Sequence, residues 1–270
     1  MNKTKLEKSI NAFDLIILIS SFVTLSFWFS GKGLLYTQYG PVLSPFTSLS
    51  LLLMSGSRLA LKNLVAFPIP LTMACLGLVI GGNLSSIMVQ LINASLLLDA
   101  LPSLVPTSIM TSIGLILFCS YELLVILRKT PESAFIIDDI LLHLALLPGG
   151  ISLLGHMQNN SYYISSDVDP RCGISILEMA FMGSYAVVAA LSNQRLFLWS
   201  FLKKNLSNRL IFAGLFINQY IAPLVVSWII TGGRQVQGLG IEIFVMLAGV
   251  MATLTFLVIN ATRRRETLET

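Results

Sequence analysis

Two carboxylates stand inside otherwise apolar runs of this 270-residue sequence. Glu178 lies about six residues into one run, among Met179, Phe181 and Met182, and Glu242 lies about four residues into another. An ionisable side chain in hydrocarbon is costly, so each is a candidate for function. At 1.5 Å of rise per residue, Glu178 would sit ~9 Å below the membrane surface. Together the two carboxylates would suit a ligand or proton site in the outer third of a bilayer. The plainer expectation is that Glu242 reaches the boundary while Glu178 bonds a hydroxyl or amide of another helix. A second group, Asn218, Gln219 and Tyr220, falls near the middle of a run that also holds Pro223. Proline frees a backbone carbonyl one turn earlier, and neighbouring polar side chains can satisfy it. These three read as glue between helices, with a ligand lining or a flexing point as the functional alternative.

Other reactive residue types give less. His143 and His156 are the two histidines, separated by ~20 Å of helix. They cannot share a metal ion unless Pro148-Gly149-Gly150 folds the chain back, so no metal site is expected. His156, near an outer end, is a candidate pH-responsive group. Asp138 and Asp139 project about 100° apart on a helix and are expected to be solvated near the inner surface. Cys75, Cys119 and Cys172 lack CxxC spacing, which gives no redox role. The sequence has no nucleophile elbow, HExxH or Gly-rich phosphate loop, and neither catalysis nor a cofactor is expected.

The elements that position these residues follow from composition. Hydrophobic residues make up 55% of the chain and charged residues 11%, against ~25% charged in a soluble domain; the mean hydropathy is +0.82. Such a chain is integral to a membrane, and the same figures exclude a disordered chain, a nucleic-acid module and a disulfide scaffold. A membrane helix needs roughly 20 mostly apolar residues. Runs of that kind occur at 11–29, 45–61, 64–82, 105–127, 136–155, 172–192, 210–231 and 239–262. The predicted fold is an all-α polytopic helical bundle of about eight spans, forming a single transmembrane domain over 1–270. The N-terminal run is too long, and lacks the cleavage site, for a removed signal peptide, so it is expected to be the first span.

Two further stretches are amphipathic. In 84–101, Leu84, Ile87, Met88 and Leu91 oppose Ser86, Gln90 and Asn93, which predicts an interfacial helix or a re-entrant hairpin. In 196–209, Leu198, Trp199, Leu202 and Leu206 oppose Lys203, Lys204 and Arg209, which predicts a basic helix lying on anionic headgroups. Cations test the scheme, because short cytoplasmic loops retain Lys and Arg. With eight spans and both termini cytoplasmic, fourteen cations, Arg58 among them, fall inside and only Lys32, Arg171 and Arg234 outside. A ninth span at 84–101 would leave seven inside and ten outside.

The chain also repeats itself. Pro45-Phe46-Thr47, Pro106-Thr107-Ser108 and Pro170-Arg171-Cys172 each open a run, with the prolines 61 and then 64 residues apart. A period of about 60 residues holding two spans describes tandem hairpins at 11–61, 64–127, 136–192 and a diverged 210–262, all in one orientation. With the last hairpin ending in Arg263-Arg264-Arg265-Glu266, this pattern resembles the multi-pass membrane sensor regions of bacterial histidine kinases and diguanylate cyclases. The resemblance implies a sensor in the bacterial cytoplasmic membrane, which detects a small molecule or a membrane state and passes a helix movement onward. No output-domain signature follows Arg265, so the receiver is expected to be a cytoplasmic signalling domain or partner protein beyond these residues. The other expected partners are the lipid bilayer and further copies of the chain, with no nucleic acid. The alternatives are a carrier for an apolar or weakly acidic solute, coupled to protons through Glu178 and Glu242, or a structural subunit of a larger membrane complex.

Overall fold

The structure, a computed structural model, describes residues 3–30, 36–37, 40–41, 43–62, 68–100, 107–128, 136–165, 173–231 and 240–269. Apart from a two-residue antiparallel ladder, Tyr36–Thr37 with Gly40–Pro41, the described elements are helices. They are α1 (Lys3–Phe29), α2 (Pro45–Leu61), α3 (Ile69–Ala100), α4 (Ile109–Leu127) and α5 (Ile136–Gln158). There follow α6 (Ser161–Ser165), α7 (Ile176–Ser192), α8 (Phe197–Lys204), α9 (Leu206–Thr231) and α10 (Ile241–Glu269).

A helix stands at each of the eight runs, and together they make a polytopic membrane bundle. Six are long and apolar enough to cross a bilayer alone: α1, α3, α4, α5, α9 and α10. Taking α7 with α8, bent by 74°, as one span gives seven. The expected eight is thus reduced, because α2 and α7 are only 17 residues each. α2 nevertheless runs beside α1 over much of its length: the Trp28 indole N–H donates to the Leu43 carbonyl at one end, and Arg58 meets Asp14 at the other.

At the centre α4 packs against α2 and α7, which are bridged to each other by the Thr47–Glu178 and Arg58–Ser192 bonds, and each groove between the three is filled from outside. α1 lies against α2 and α7, α3 against α2 and α4, and α5 against α4 and α7. Three successive hairpins therefore close a ring of six helices. The fourth hairpin, α9 with α10, stands outside that ring and leans on α5 and α8.

The segment 84–101 is not a separate interfacial helix: it continues the third span to Ala100 as one helix. Its faces are used in the reverse of the soluble manner. Leu84, Met88 and Leu91 face outward, while Asn83 donates to the Ser50 hydroxyl, and Ser86 and Gln90 donate to the Thr107 carbonyl. Against lipid, the apolar face belongs outside and the hydrogen-bonding face inside. The segment 196–209 is broken at Asn205, between α8 and α9. α8 buries Phe197 and Phe201 and leaves Lys203 and Lys204 exposed. Every lysine and arginine among the described residues belongs to the end of the bundle where α1 and α9 begin and α2, α4 and α10 finish.

Candidate functional site

The three central helices start alike, though the repeated residue is serine and not proline. Ser44, Ser108 and Ser175 are the N-caps of α2, α4 and α7, and each side chain accepts from the backbone N–H three residues on, at Thr47, Thr111 and Glu178. The caps are 64 and then 67 residues apart. Counting forward from each cap gives four matching inward positions. They are Leu51, Leu115 and Met182; Met54, Phe118 and Tyr185; Ser55, Cys119 and Ala186; and Arg58, Glu122 and Ala189. None of them is more than 5% exposed. The register of α7 recurs 64 residues later in α10: buried Glu242, Met246, Val250 and Thr253 stand where Glu178, Met182, Ala186 and Ala189 do, and half-buried Gly249 stands where Tyr185 does. Pro45 is the first residue of its helix; Pro106, two residues before Ser108 in the sequence, and Pro170 lie outside the described residues. The proline register of the repeat is thereby corrected.

At one end the three N-termini converge on Glu178. Its carboxylate accepts from the Thr47 hydroxyl at 2.6 Å and from the Ser175 backbone N–H at 3.3 Å, closing a capping box. Thr107 lies 3.5 Å from both Ser44 and Thr47, so all three helix starts share one knot. The positive ends of parallel helices favour a negative charge there, and the hydroxyls satisfy it. Glu178 thus bonds a hydroxyl across the bundle.

At the other end lies a buried charge network that the sequence reading missed. Arg58 donates to Asp14 of α1 at 3.0 Å, to Glu122 of α4, and to Ser192 of α7 at 2.7 Å. Lys62 donates to the second Asp14 oxygen at 2.6 Å, and the Tyr185 hydroxyl donates to Glu122 at 3.2 Å. The Arg58 guanidinium also sits 5.2 Å from the centre of the Tyr185 ring. Two cations and two carboxylates cancel, so the group is neutral as a whole, which is the condition for keeping charge in a low-dielectric interior. Arg58 is only 5% exposed and is not a loop cation. The signal that could have found it was periodic: Arg58 and Glu122 hold the same repeat position with opposite charge.

The fourth hairpin is tied to the ring by polar contacts of its own. The Tyr163 hydroxyl, on α6, donates to Glu242 at 2.8 Å and accepts from the Gly240 N–H at 2.7 Å. Gln219 is buried in α9, with its carbonyl oxygen 3.1 Å from His143 Nε2 of α5 and accepting from the Thr253 hydroxyl at 3.4 Å. Its amide nitrogen has no partner among the described residues. Tyr220 packs where Gly150 leaves room, and Asn218 is exposed on the outer face of α9. Glu178 and Glu242 are not brought together: α7 and α10 are not among the packed helix pairs. A small apolar cavity of about 180 Å³ lies beside this contact, lined in part by Leu142, His143, Phe212, Phe216 and Leu257.

No protein-family model matches the chain, and no curated protein or solved structure is significantly similar to it.

Asp138 and Asp139 are not solvated as expected. Asp138 pairs with Arg128 at 2.5 Å, and Asp139 accepts the backbone N–H groups of Phe197 and Leu198, which start α8. Those amides would otherwise be unsatisfied, so Asp139 fastens α8 to α5. His156 Nε2 lies 2.8 Å from the Ile174 carbonyl, well away from His143 in its own setting. Cys75 and Cys119 are free thiols, and Cys172 lies outside the described residues.

Proposed function

We propose that this chain is a sensory, signal-transducing membrane module that detects a small molecule or a state of the bilayer and passes a movement of α10 to a cytoplasmic output domain or partner. The observation that carries the reading is the placement of α10. It is one unbroken helix of 29 residues, outside the six-helix ring, fixed to that ring's α5–α6 corner by the Tyr163–Glu242 and His143–Gln219–Thr253 bonds. α10 pairs along its length with α9, and the hairpin meets the ring through one seam, where Ile243 and Met246 pack on Ile151, Leu154 and Tyr163 and these polar bonds set the register. A hairpin joined by one such seam has a small set of alternative positions, as two-state transmission requires. The repeat resemblance gives the same direction, and the basic end of the bundle, placed in the cytoplasm of a bacterial inner membrane, puts the end of α10 beside its receiver.

The test is a chimaera with a diguanylate cyclase fused after Thr270. Removing one buried hydrogen bond is worth ~1 kcal/mol, or about a fivefold change in a two-state ratio. Tyr163→Phe and Gln219→Leu should therefore shift basal cyclase output severalfold at equal protein level. Output unmoved by either, and by Glu242→Gln, removes the support for the reading. A proton-coupled carrier would draw on Glu178 and Glu242 acting together, and those two sit on helices that do not pack against one another.

A further inference from the structure

The basic end of the bundle holds a formed cleft of about 620 Å³ between α8, α9 and α10. Its walls carry Lys203 and Lys204 from α8, Asn208 from α9, and Asn260 and Arg263 from α10, over a floor made by Phe197 and Phe201. We propose that this cleft binds a phosphate-bearing anion, either the headgroup of an acidic phospholipid or a soluble phosphate compound. The site goes beyond the signalling reading and does not depend on it.

Charge, donors and shape argue for it together. Among the described residues no carboxylate lines the cleft. Between Glu178 and Glu266 the sequence has a single acidic residue, Glu242, which begins α10 at the far end of the bundle. On α5, which packs against α8 and α10, Asp139 has its oxygens taken by the first amides of α8. Neither Lys203 nor Lys204 has a carboxylate within salt-bridge distance among the described residues. Asn208 donates one amide hydrogen to the Phe201 carbonyl and Asn260 one to the Phe256 carbonyl, which leaves each a second N–H. The α9 N-terminus opens at the same place, adding the positive end of a 26-residue helix.

Phosphate oxygens are acceptors only, and a concave set of ammonium, guanidinium and amide donors is what they require. The aromatic floor, with Phe201 edge-on to Phe256 at 5.3 Å, gives an apolar bed for whatever carries the phosphate. Basic pockets between membrane helices hold acidic headgroups on this principle. Because α8 and α10 both contribute, an anion in the cleft would pin the end of α10 to α8.

The test uses the full chain in phosphatidylcholine nanodiscs, with two probes. Phosphatidylglycerol doped into the disc is scored as lipid retained in native mass spectrometry, and pyrophosphate is titrated from solution with calorimetry. Each cation near the headgroups contributes about fivefold in affinity, so Lys203→Gln/Lys204→Gln should weaken binding about 25-fold, and adding Arg263→Gln roughly 100-fold. The matched control is Arg195→Gln/Arg209→Gln, which removes two exposed cations that do not line the cleft. Phosphatidylglycerol retention without pyrophosphate binding identifies the lipid as the source, and pyrophosphate binding in pure phosphatidylcholine identifies a soluble phosphate; either supports the site. If neither probe binds, or if the control pair weakens binding as much as the lysine pair, the proposal is overturned. Should a multiple variant not fold, Lys204→Gln alone must still give the fivefold loss.

Discussion

Replacing Arg58 by methionine removes the side chain that joins Asp14 to Glu122. Asp14 then keeps Lys62 at 2.6 Å, but among the described residues Glu122 is left with only the Tyr185 hydroxyl at 3.2 Å. Two unit charges ~4 Å apart at an effective dielectric of about 20 attract by about 4 kcal/mol. Removing one partner of a buried pair costs ~3–5 kcal/mol, chiefly because the other charge stays buried without compensation. Arg58→Met should therefore lower stability by about 3–5 kcal/mol. Adding Glu122→Gln removes the stranded charge, and the double variant should recover about 2 kcal/mol or more of that loss. The assay is reversible unfolding of the purified chain in mixed micelles, with denaturing detergent titrated and tryptophan fluorescence followed for wild type, both single variants and the double. The reasoning is refuted if the double variant is no more stable than Arg58→Met, or if Arg58→Met itself costs less than about 1 kcal/mol.

Three further outcomes are expected. A Cβ on Gly249 would lie 2.8 Å from Gln219 Cβ and 2.9 Å from its Cα, whereas one on Gly214 would meet nothing within 4 Å. Gly249→Ala should thus cost ~1–3 kcal/mol by forcing α9 and α10 apart, while Gly214→Ala should be neutral or slightly stabilising; thermal melts of the two variants decide this. Ser175→Ala should cost about 1 kcal/mol as a lost N-cap, and Glu178→Ala about 2 kcal/mol, since it removes both the Thr47 bond across to α2 and the return half of the capping box. In a background without native cysteines, Lys8→Cys and Arg195→Cys should label from one side of the membrane with an impermeant maleimide, and Ser30→Cys from the other. Labelling of Lys8→Cys and Arg195→Cys from opposite sides would break the parallel arrangement of α2, α4 and α7.

Much of the fold was readable because hydrocarbon length and low charge leave few options for runs such as 11–29 or 239–262. The repeat was visible as a period, but prolines are tolerated at several positions around a helix start, so they marked it loosely. The serine caps mark it tightly, because each must bond an N–H at a fixed offset. The break expected after the third span failed because the apolar stripe of 84–101 was read as if water lay opposite it. In lipid, Ser86 and Gln90 point to protein. The site was least legible. The apolar surroundings of Glu178 mark it in the sequence, whereas Arg58, inside the run 45–61, counts there only as one more inner-side cation, and Asp14 and Glu122 carry no mark in their runs. Only the assembled bundle brings residues 14, 58, 122 and 192 to one place.

The match between Arg58, Glu122 and Ala189 bears on how such a chain can assemble. Three copies of any one hairpin, arranged about the same axis, would set three arginines, three glutamates or three alanines at a single depth. In the first, each Arg58 would keep only the Asp14 that it shares with Lys62, leaving an excess of positive charge; in the second the glutamates would repel with no cation beside them, and the third would lack the polar grip. Joining unlike copies in a fixed covalent order lets a cation face an anion at that level, so isolated hairpins mixed in lipid should sort by heterotypic pairing.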